Sequence, residues 1–209
     1  MRIAVVGWGS LIWCPGSLRI KSRWRLDGPA LPIEFARISR DERLTLVIHP
    51  DSPEQRTYWA ISEFESLEEA RQNLKRREHA RPEEIHSLTV DGRRNPDHIP
   101  EPVVERVSGW LKTQENLQAA IWTGLESNWE DKRGRPFSPE DAMQYLRELE
   151  DARDRATTVY DRAREYVRNT PPQIGTPVRK LVQQKGGWED ATLSAILFEP
   201  EPGKGNSQL

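Results

Sequence analysis

Two stretches of this chain hold residue types that could do chemistry together. The first is Gly7-Trp8-Gly9-Ser10-Leu11, which directly follows the apolar run Ile3–Val6. Glycines admit backbone angles closed to other residues and let a ligand come close to main-chain N–H groups. A succession of such donors forms a nest for a carboxylate or an oxyanion. The same pattern also serves as a tight turn with Trp8 packed inward as a core aromatic. It is not a phosphate loop, because no Gly-Lys-Ser/Thr follows, and not a dinucleotide fingerprint, because the third glycine and its helix are missing. Ser10 lacks the Gly-x-Ser-x-Gly setting of an elbow nucleophile.

The second is Glu78. Leu67, Ala70 and Leu74 mark the buried stripe of a helix opened by Ser66, with Ser66 and Glu69 spaced as a capping box. At about 100° per residue, the residue eleven positions after Leu67 returns to the same face, and that residue is Glu78. A carboxyl on an apolar stripe, beside Lys75, Arg76 and Arg77, is either a solvated surface group or an acid–base group in a sheltered place. Burial and the negative end of the helix dipole raise its pKa, and Arg76 or Arg77 lowers it. The sequence leaves the sign open. The remaining candidates are weaker. His49, His79, His86 and His98 have no metal-ligand spacing and read as turn or surface residues. Cys14, the single cysteine, lacks a signalled base partner and reads as a semi-buried, inert thiol. The basic cluster Arg71–Arg81 reads as a solvated helix face.

These residues must be positioned by something. Ile3–Val6 is a buried strand by composition, and Leu18–Leu26, Leu31–Ile38, Leu44–His49 and Thr57–Ser62 read as further strands, punctuated by Gly28-Pro29 and Pro50–Pro53. Closely spaced strands favour a sheet that curls or closes. Trp8, Trp13, Trp24, Trp59 and Trp122 fall on or near strands and are expected to build the core or, for some of them, to line a pocket. Arg81–Pro102 reads mostly as irregular connection, with a strand at Ile85–Val90, and Leu117–Gly124 as another strand. Ser138-Pro139 opens a long helix to Arg168 with a seam of Ala142, Leu146, Leu149, Ala156, Tyr160, Ala163 and Val167 and room for a break near Asp151–Asp154. Thr176-Pro177 begins another helix ended by Gly186-Gly187, Ala191–Phe198 reads as a last strand, and Glu199–Leu209 as a disordered tail.

The chain has 209 residues, with 31 Lys and Arg against 33 Asp and Glu, for a formal net charge of -2. That near-balance argues against a nucleic-acid partner, which usually requires a basic surplus. No window approaches the length of a membrane-spanning apolar run, and the N-terminal apolar run meets Gly7 too soon for a signal peptide, so the expectation is a cytoplasmic protein without a membrane partner. One cysteine excludes an internal disulfide, and no Cys/His cluster points to a metal.

The run Val6-Gly7-Trp8-Gly9-Ser10-Leu11-Ile12-Trp13-Cys14-Pro15-Gly16 resembles the opening of the γ-glutamylcyclotransferase-like superfamily, whose ChaC-type branch continues with Ile-Trp and Pro-Gly as here. Thr57–Ser62 and the helix ending Lys75-Arg76-Arg77-Glu78-His79 resemble the strand and helix that deliver the family's catalytic glutamate. Beyond Arg81 the likeness is general. It implies an α+β fold: a small, mixed, partly closed β-barrel with packed helices. The pattern along the chain gives one domain over residues 1–198, with a helical part at 138–187 and a tail at 199–209. The likeness further implies a lyase or acyltransferase type of enzyme that needs no cofactor and no metal. Such enzymes cleave a γ-glutamyl amide, as in glutathione metabolism, by attack of the substrate's own α-amine on the γ-carbonyl, releasing 5-oxoproline. The tethered nucleophile lowers the barrier by part of the roughly 7–11 kcal/mol available from intramolecularity. Carried onto this sequence, the likeness makes Glu78 the acid–base group and Gly7, Trp8, Gly9, Ser10 and Leu11 the substrate-binding loop. Trp8 stands where the family has Tyr, and His79-Ala80 where many members have small residues. Against this enzyme stand two other expectations: a non-catalytic interaction protein docking through helix 138–168, a surface that would also suit a homodimer, and a weaker nucleic-acid reading through Arg71–Arg81.

Overall fold

The computed structural model describes residues 1–153 and 157–185. Among them are six α-helices and two sheets, an α+β arrangement. The chain runs β1 (Ile3–Gly7), β2 (Ala30–Ile38), β3 (Leu44–Ile48), β4 (Glu54–Arg56), β5 (Tyr58–Ile61), α1 (Leu67–Glu78), β6 (Ile85–Thr89), β7 (Arg94–Asn95), α2 (Glu101–Thr113), β8 (Ala119–Thr123), α3 (Trp129–Arg133), α4 (Pro139–Asp151), α5 (Thr157–Asn169) and α6 (Pro177–Lys185). No helix among the described residues is long and apolar enough to cross a membrane.

The larger sheet has the order β5-β1-β8-β6-β7. β1 lies antiparallel to β5 and parallel to β8, with Ile3, Ala4 and Val5 opposite Ala119, Ala120 and Ile121. Both central strands read as unbroken apolar runs because both of their faces are covered. Ile3 and Val5 join Ala119 and Ile121 under the α1 stripe of Ala70 and Leu74. Ala4 and Val6 point the other way, into the main core shared with Val103 and Val107 of α2 and with Leu31, Ile33 and Phe35 of the second sheet. That sheet has the order β3-β2-β4, with a register irregularity between Glu34 and Arg37. The chain passes from β4 to β5, and so from one sheet to the other, through Thr57, whose hydroxyl donates to Pro29 O at 2.7 Å.

Leu18–Leu26 is not a regular strand. It touches the sheet only through isolated bridges, Ile20 to Ser62 and Arg25 to Trp59. Beyond the bridges its backbone bonds are scattered: Leu18 N to Pro15 O, Lys21 N to Ile61 O and Glu63 N to Arg19 O. Asn73 of α1, 3% exposed, accepts from Arg19 N at 2.8 Å and donates to Ser17 O, just before the segment, at 2.9 Å, so a buried helical amide takes one bond a ladder would use. Of the capping box, the serine half forms, with Ser66 Oγ accepting from Glu69 N at 3.5 Å. α2 begins inside the segment read as connection, its buried face formed by Val103, Val107, Trp110 and Leu111.

The long C-terminal helix is two helices, α4 and α5. Ala142, Leu146, Tyr160, Ala163 and Val167 of its seam are all buried in the main core, so this stripe faces the protein itself. α5 lies on β3, α6 on β2, and α4 against both α5 and α6. Ala156, Gly186-Gly187, the strand expected at Ala191–Phe198 and the tail Glu199–Leu209 lie outside the described residues.

Candidate functional site

α1 ends at Glu78 because His79 takes the left-handed conformation, φ 50°, and its N–H closes onto Arg76 O and Lys75 O. The last side chain of the buried stripe therefore sits at the helix C-terminus, beside the loop that leaves β1. The two stretches singled out in the sequence meet there. A cavity of about 240 Å³ is lined by Gly7, Trp8, Gly9, Ser10 and Leu11 on one side and by Arg77, Glu78 and His79 on the other. Its size lies just below the ~300–1,000 Å³ of drug-sized sites and suits a small metabolite.

Arg77 ties the halves together. Its Nη1 donates to Glu78 Oε1 at 2.9 Å, and its Nη2 to Ser10 Oγ at 3.0 Å and to Cys14 O at 2.6 Å. Arg77 and Glu78 are 13% and 16% exposed, so this ion pair is largely sheltered from water. The reading of Arg71–Arg81 as a solvated face is thereby corrected at two positions. Arg77 points inward to the loop, and Arg71, 12% exposed, donates to Ile85 O and Asn95 Oδ1. Guanidinium forks reach backbone carbonyls that their long stems bring within range, and helical periodicity alone does not reveal this.

Burial pushes the Glu78 carboxyl above the usual carboxylate range, opposed by Arg77, His79 and Arg43. The sign left open by the sequence is upward, because desolvation outweighs the cations. Across the cavity, the N–H groups of Gly9, Ser10 and Leu11 have no acceptor among the described residues, whereas the carbonyls of Gly9 and Ser10 turn back to accept from Ile12 N and Cys14 N. The loop thus leaves three donors unbonded among residues that line the cavity, while the Gly9 and Ser10 carbonyls are occupied. Thr123 adds a buried hydroxyl without a partner.

Trp8 is 5% exposed and anchored, its Nε1 donating to Leu46 O at 3.3 Å, so it is a wall rather than a mobile cover. Gly9 has a reason the sequence did not disclose. A Cβ there would lie 2.6 Å from the hydroxyl of Tyr166, which reaches the cavity from α5. That phenol is 7% exposed, packs edge-on against Trp13 at 5.3 Å, and is pushed by burial up to about 12, so it stays protonated. Sequence reasoning missed Tyr166, Arg37 and Arg43 as lining residues. No motif surrounds them, and each arrives from an element distant in the chain.

Two other expectations change. Cys14 is exposed rather than semi-buried, and Arg77 binds its backbone carbonyl. His86 is buried on β6 at 7% exposure rather than at the surface. Among the described residues, no group of three or more His, Cys, Asp or Glu is placed to hold a metal ion. No model of a known protein family, no curated protein and no solved structure matches this chain.

Proposed function

We propose that the protein is a γ-glutamylcyclotransferase-type enzyme that cleaves a γ-glutamyl amide into 5-oxoproline and a free amine. The observation that carries this reading is the placement of Glu78, a sheltered carboxyl with a raised pKa, in one cavity with the unbonded N–H groups of Gly9, Ser10 and Leu11. Acid–base catalysis and oxyanion stabilisation need those two features face to face.

In this reading the substrate's α-ammonium gives a proton to the Glu78 carboxylate. The freed amine nitrogen attacks the γ-carbonyl carbon, and the electron pair of the C=O moves to oxygen, where the loop N–H groups hold the oxyanion. Glu78 returns that proton to the leaving nitrogen, and the oxyanion's electron pair re-forms the C=O as the old C–N bond breaks. The second proton of the attacking nitrogen passes through the freed Glu78 carboxylate to the departing amine, leaving the neutral lactam and an ammonium. A carboxyl with a raised pKa is a stronger base toward an ammonium and still an adequate acid toward an amine. Arg77 holds Glu78 in place, and Arg37 and Arg43 offer cations to the substrate's carboxylate. We read the two sheets, joined at the Thr57 corner, as parts of a partly closed barrel with the cavity at one mouth.

The test is direct. Purified protein is incubated with glutathione, γ-glutamyl dipeptides and γ-glutamylamines, and 5-oxoproline is quantified. Release abolished by Glu78→Gln at an unchanged melting temperature supports the reading; no release from any γ-glutamyl compound sinks it.

A further inference from the structure

A second cavity, of about 290 Å³, lies between the end of β3, the start of α2 and the segment that follows β8. Its walls are apolar: Ile48, Pro50, Pro100, Val103 and Leu125. Leu125 is the one lining residue that it shares with the Glu78 cavity. Into this apolar lining the fold sets the imidazole of His86, 7% exposed, neither of whose ring nitrogens has a hydrogen-bond partner among the described residues; Nδ1 is fully enclosed, so Nε2, beside Gly124 of the lining, is the nitrogen a ligand can reach. The ring is held edge-on to Trp122 at 5.7 Å and to His98 at 6.3 Å. Gly124 completes its seat, for a Cβ there would fall 2.1 Å from His86 Nε2. A sheltered imidazole with no partner on either nitrogen is uncommon, and its reachable nitrogen has hydrogen-bonding capacity that a ligand in the cavity can meet.

We propose that this cavity is a binding site for a small, uncharged aromatic molecule with one ring system carrying one hydroxyl or ring N–H, of the phenol or indole class, whose polar hydrogen bonds the His86 imidazole. Three features select that chemistry. The lining offers hydrophobic area in a volume suited to one ring system. The imidazole is neutral near pH 7, its pKa driven to about 4 by burial, with His98 and Arg71 adding to the fall, so it can accept a hydrogen bond. At the rim, His49 is also shifted down by burial and is engaged through Nδ1 with Ser52 Oγ at 3.3 Å. A charged ligand would leave water without a counter-charge on the walls, the one acidic side chain of the lining, Glu126, being exposed. The proposal is independent of the reaction assigned to the Glu78 cavity.

The experiment is ligand-observed NMR titration of the full chain with phenol, indole, toluene, benzoate and benzylamine. Phenol and indole should bind saturably, while toluene, benzoate and benzylamine should each bind about tenfold more weakly, as loss of one buried hydrogen bond or burial of one charge requires. His86→Phe keeps the ring and removes the nitrogens, so it should bring phenol down to the affinity of toluene. Ile48→Trp should fill the space and abolish binding of all five. Equal affinity for phenol and toluene in the wild-type protein overturns the hydrogen-bonding role of His86 even if His86→Phe fails to fold. Absence of saturable phenol or indole binding, or binding unchanged by Ile48→Trp, overturns the site.

Discussion

Glu78 and His86 make an instructive pair. Each is a sheltered titratable side chain, one at the C-terminus of α1 and the other on β6, and each lines a cavity that touches Leu125. Burial acts on both in the same sense, toward the neutral form, so the carboxyl shifts up and the imidazole down. Their company differs. Glu78 sits against the Arg77 guanidinium, which opposes the shift. His86 has only rings and the distant charges of His98 and Arg71 around it, both of which deepen its shift. The same desolvation therefore acts on a carboxyl checked by a cation in one cavity and on an imidazole without such a check in the other. The neighbours, more than the depth, make the difference.

The largest expected effect breaks the first half of that comparison. Glu78→Gln keeps the shape and removes the exchangeable proton, so 5-oxoproline release should fall by about 10²–10⁴-fold, the usual contribution of general acid–base catalysis. The melting temperature should stay level or rise, since a desolvated carboxyl is replaced by a neutral amide. A variant retaining full turnover would remove Glu78 from the chemistry.

The second half is sharpened by pH. The folded protein holds His86 with a pKa of about 4, against 6.5 for the free group. Between those values the unfolded chain binds more protons than the native one, so stability rises with pH through this window and is lost as pH falls through it. At about 1.4 kcal/mol per unit the difference is of the order of 3 kcal/mol. Urea unfolding of His86→Phe at pH 7 and pH 4.5 should show most of this difference gone. An equally steep loss in the variant would mean that other groups govern acid sensitivity.

How much of this arrangement was readable in the sequence depends on how local its cause is. The strands Ile3–Gly7 and Ala119–Thr123, the helix start at Ser66 and the placement of Glu78 on the Leu67–Leu74 stripe follow from apolar runs, caps and helical period. The meeting of Glu78 with Gly7–Leu11 was expected from resemblance, and the geometry brings them into one cavity. Leu18–Leu26 misled because its strand-like composition reflects packing of Leu18 and Trp24 beneath α1, while Asn73 intercepts one backbone bond a ladder would use. α2 had a legible signal, Val103, Val107, Trp110 and Leu111 at helical spacing, hidden behind the prolines that precede it. Tyr166, Arg37 and Arg43 had none, since nothing local tells a phenol on α5 from any other core ring. His86 was obscured because burial of a histidine depends on partners from α2 and β8, far along the chain.

Arg77 offers a smaller, two-part test of the company argument. Arg77→Met removes charge-assisted bonds to Glu78, Ser10 and Cys14, and should cost about 2–3 kcal/mol in urea unfolding. It also removes the largest influence opposing the upward shift of Glu78. The base must be deprotonated to act, so the acid limb of the pH–kcat/KM profile should move to higher pH. Arg77→Lys should fall between, because an ammonium cannot span the carboxylate and the loop at once. An unmoved acid limb in Arg77→Met would show that Arg77 is a structural staple without influence on the proton.

The smallest effect tests whether α5 truly completes the cavity. A Cβ on Gly9 would meet Tyr166 Oη at 2.6 Å, but its next neighbour, Tyr166 Cζ, lies at 3.7 Å, an ordinary contact. Gly9→Ala should therefore destabilise by about 1–3 kcal/mol through overpacking. Tyr166→Phe alone should cost about 1 kcal/mol for the lost phenol bond with Leu46. In the double variant the colliding oxygen is gone, so the costs should fall short of their sum by about 1 kcal/mol or more, the signature of residues in contact. Additive costs would place the phenol away from Gly9 in solution, and the wall contributed by α5 would then not exist as described. Non-additivity in stability, together with a lowered 5-oxoproline rate in Tyr166→Phe, would tie the C-terminal helix to the chemistry of a loop more than a hundred and fifty residues earlier in the chain.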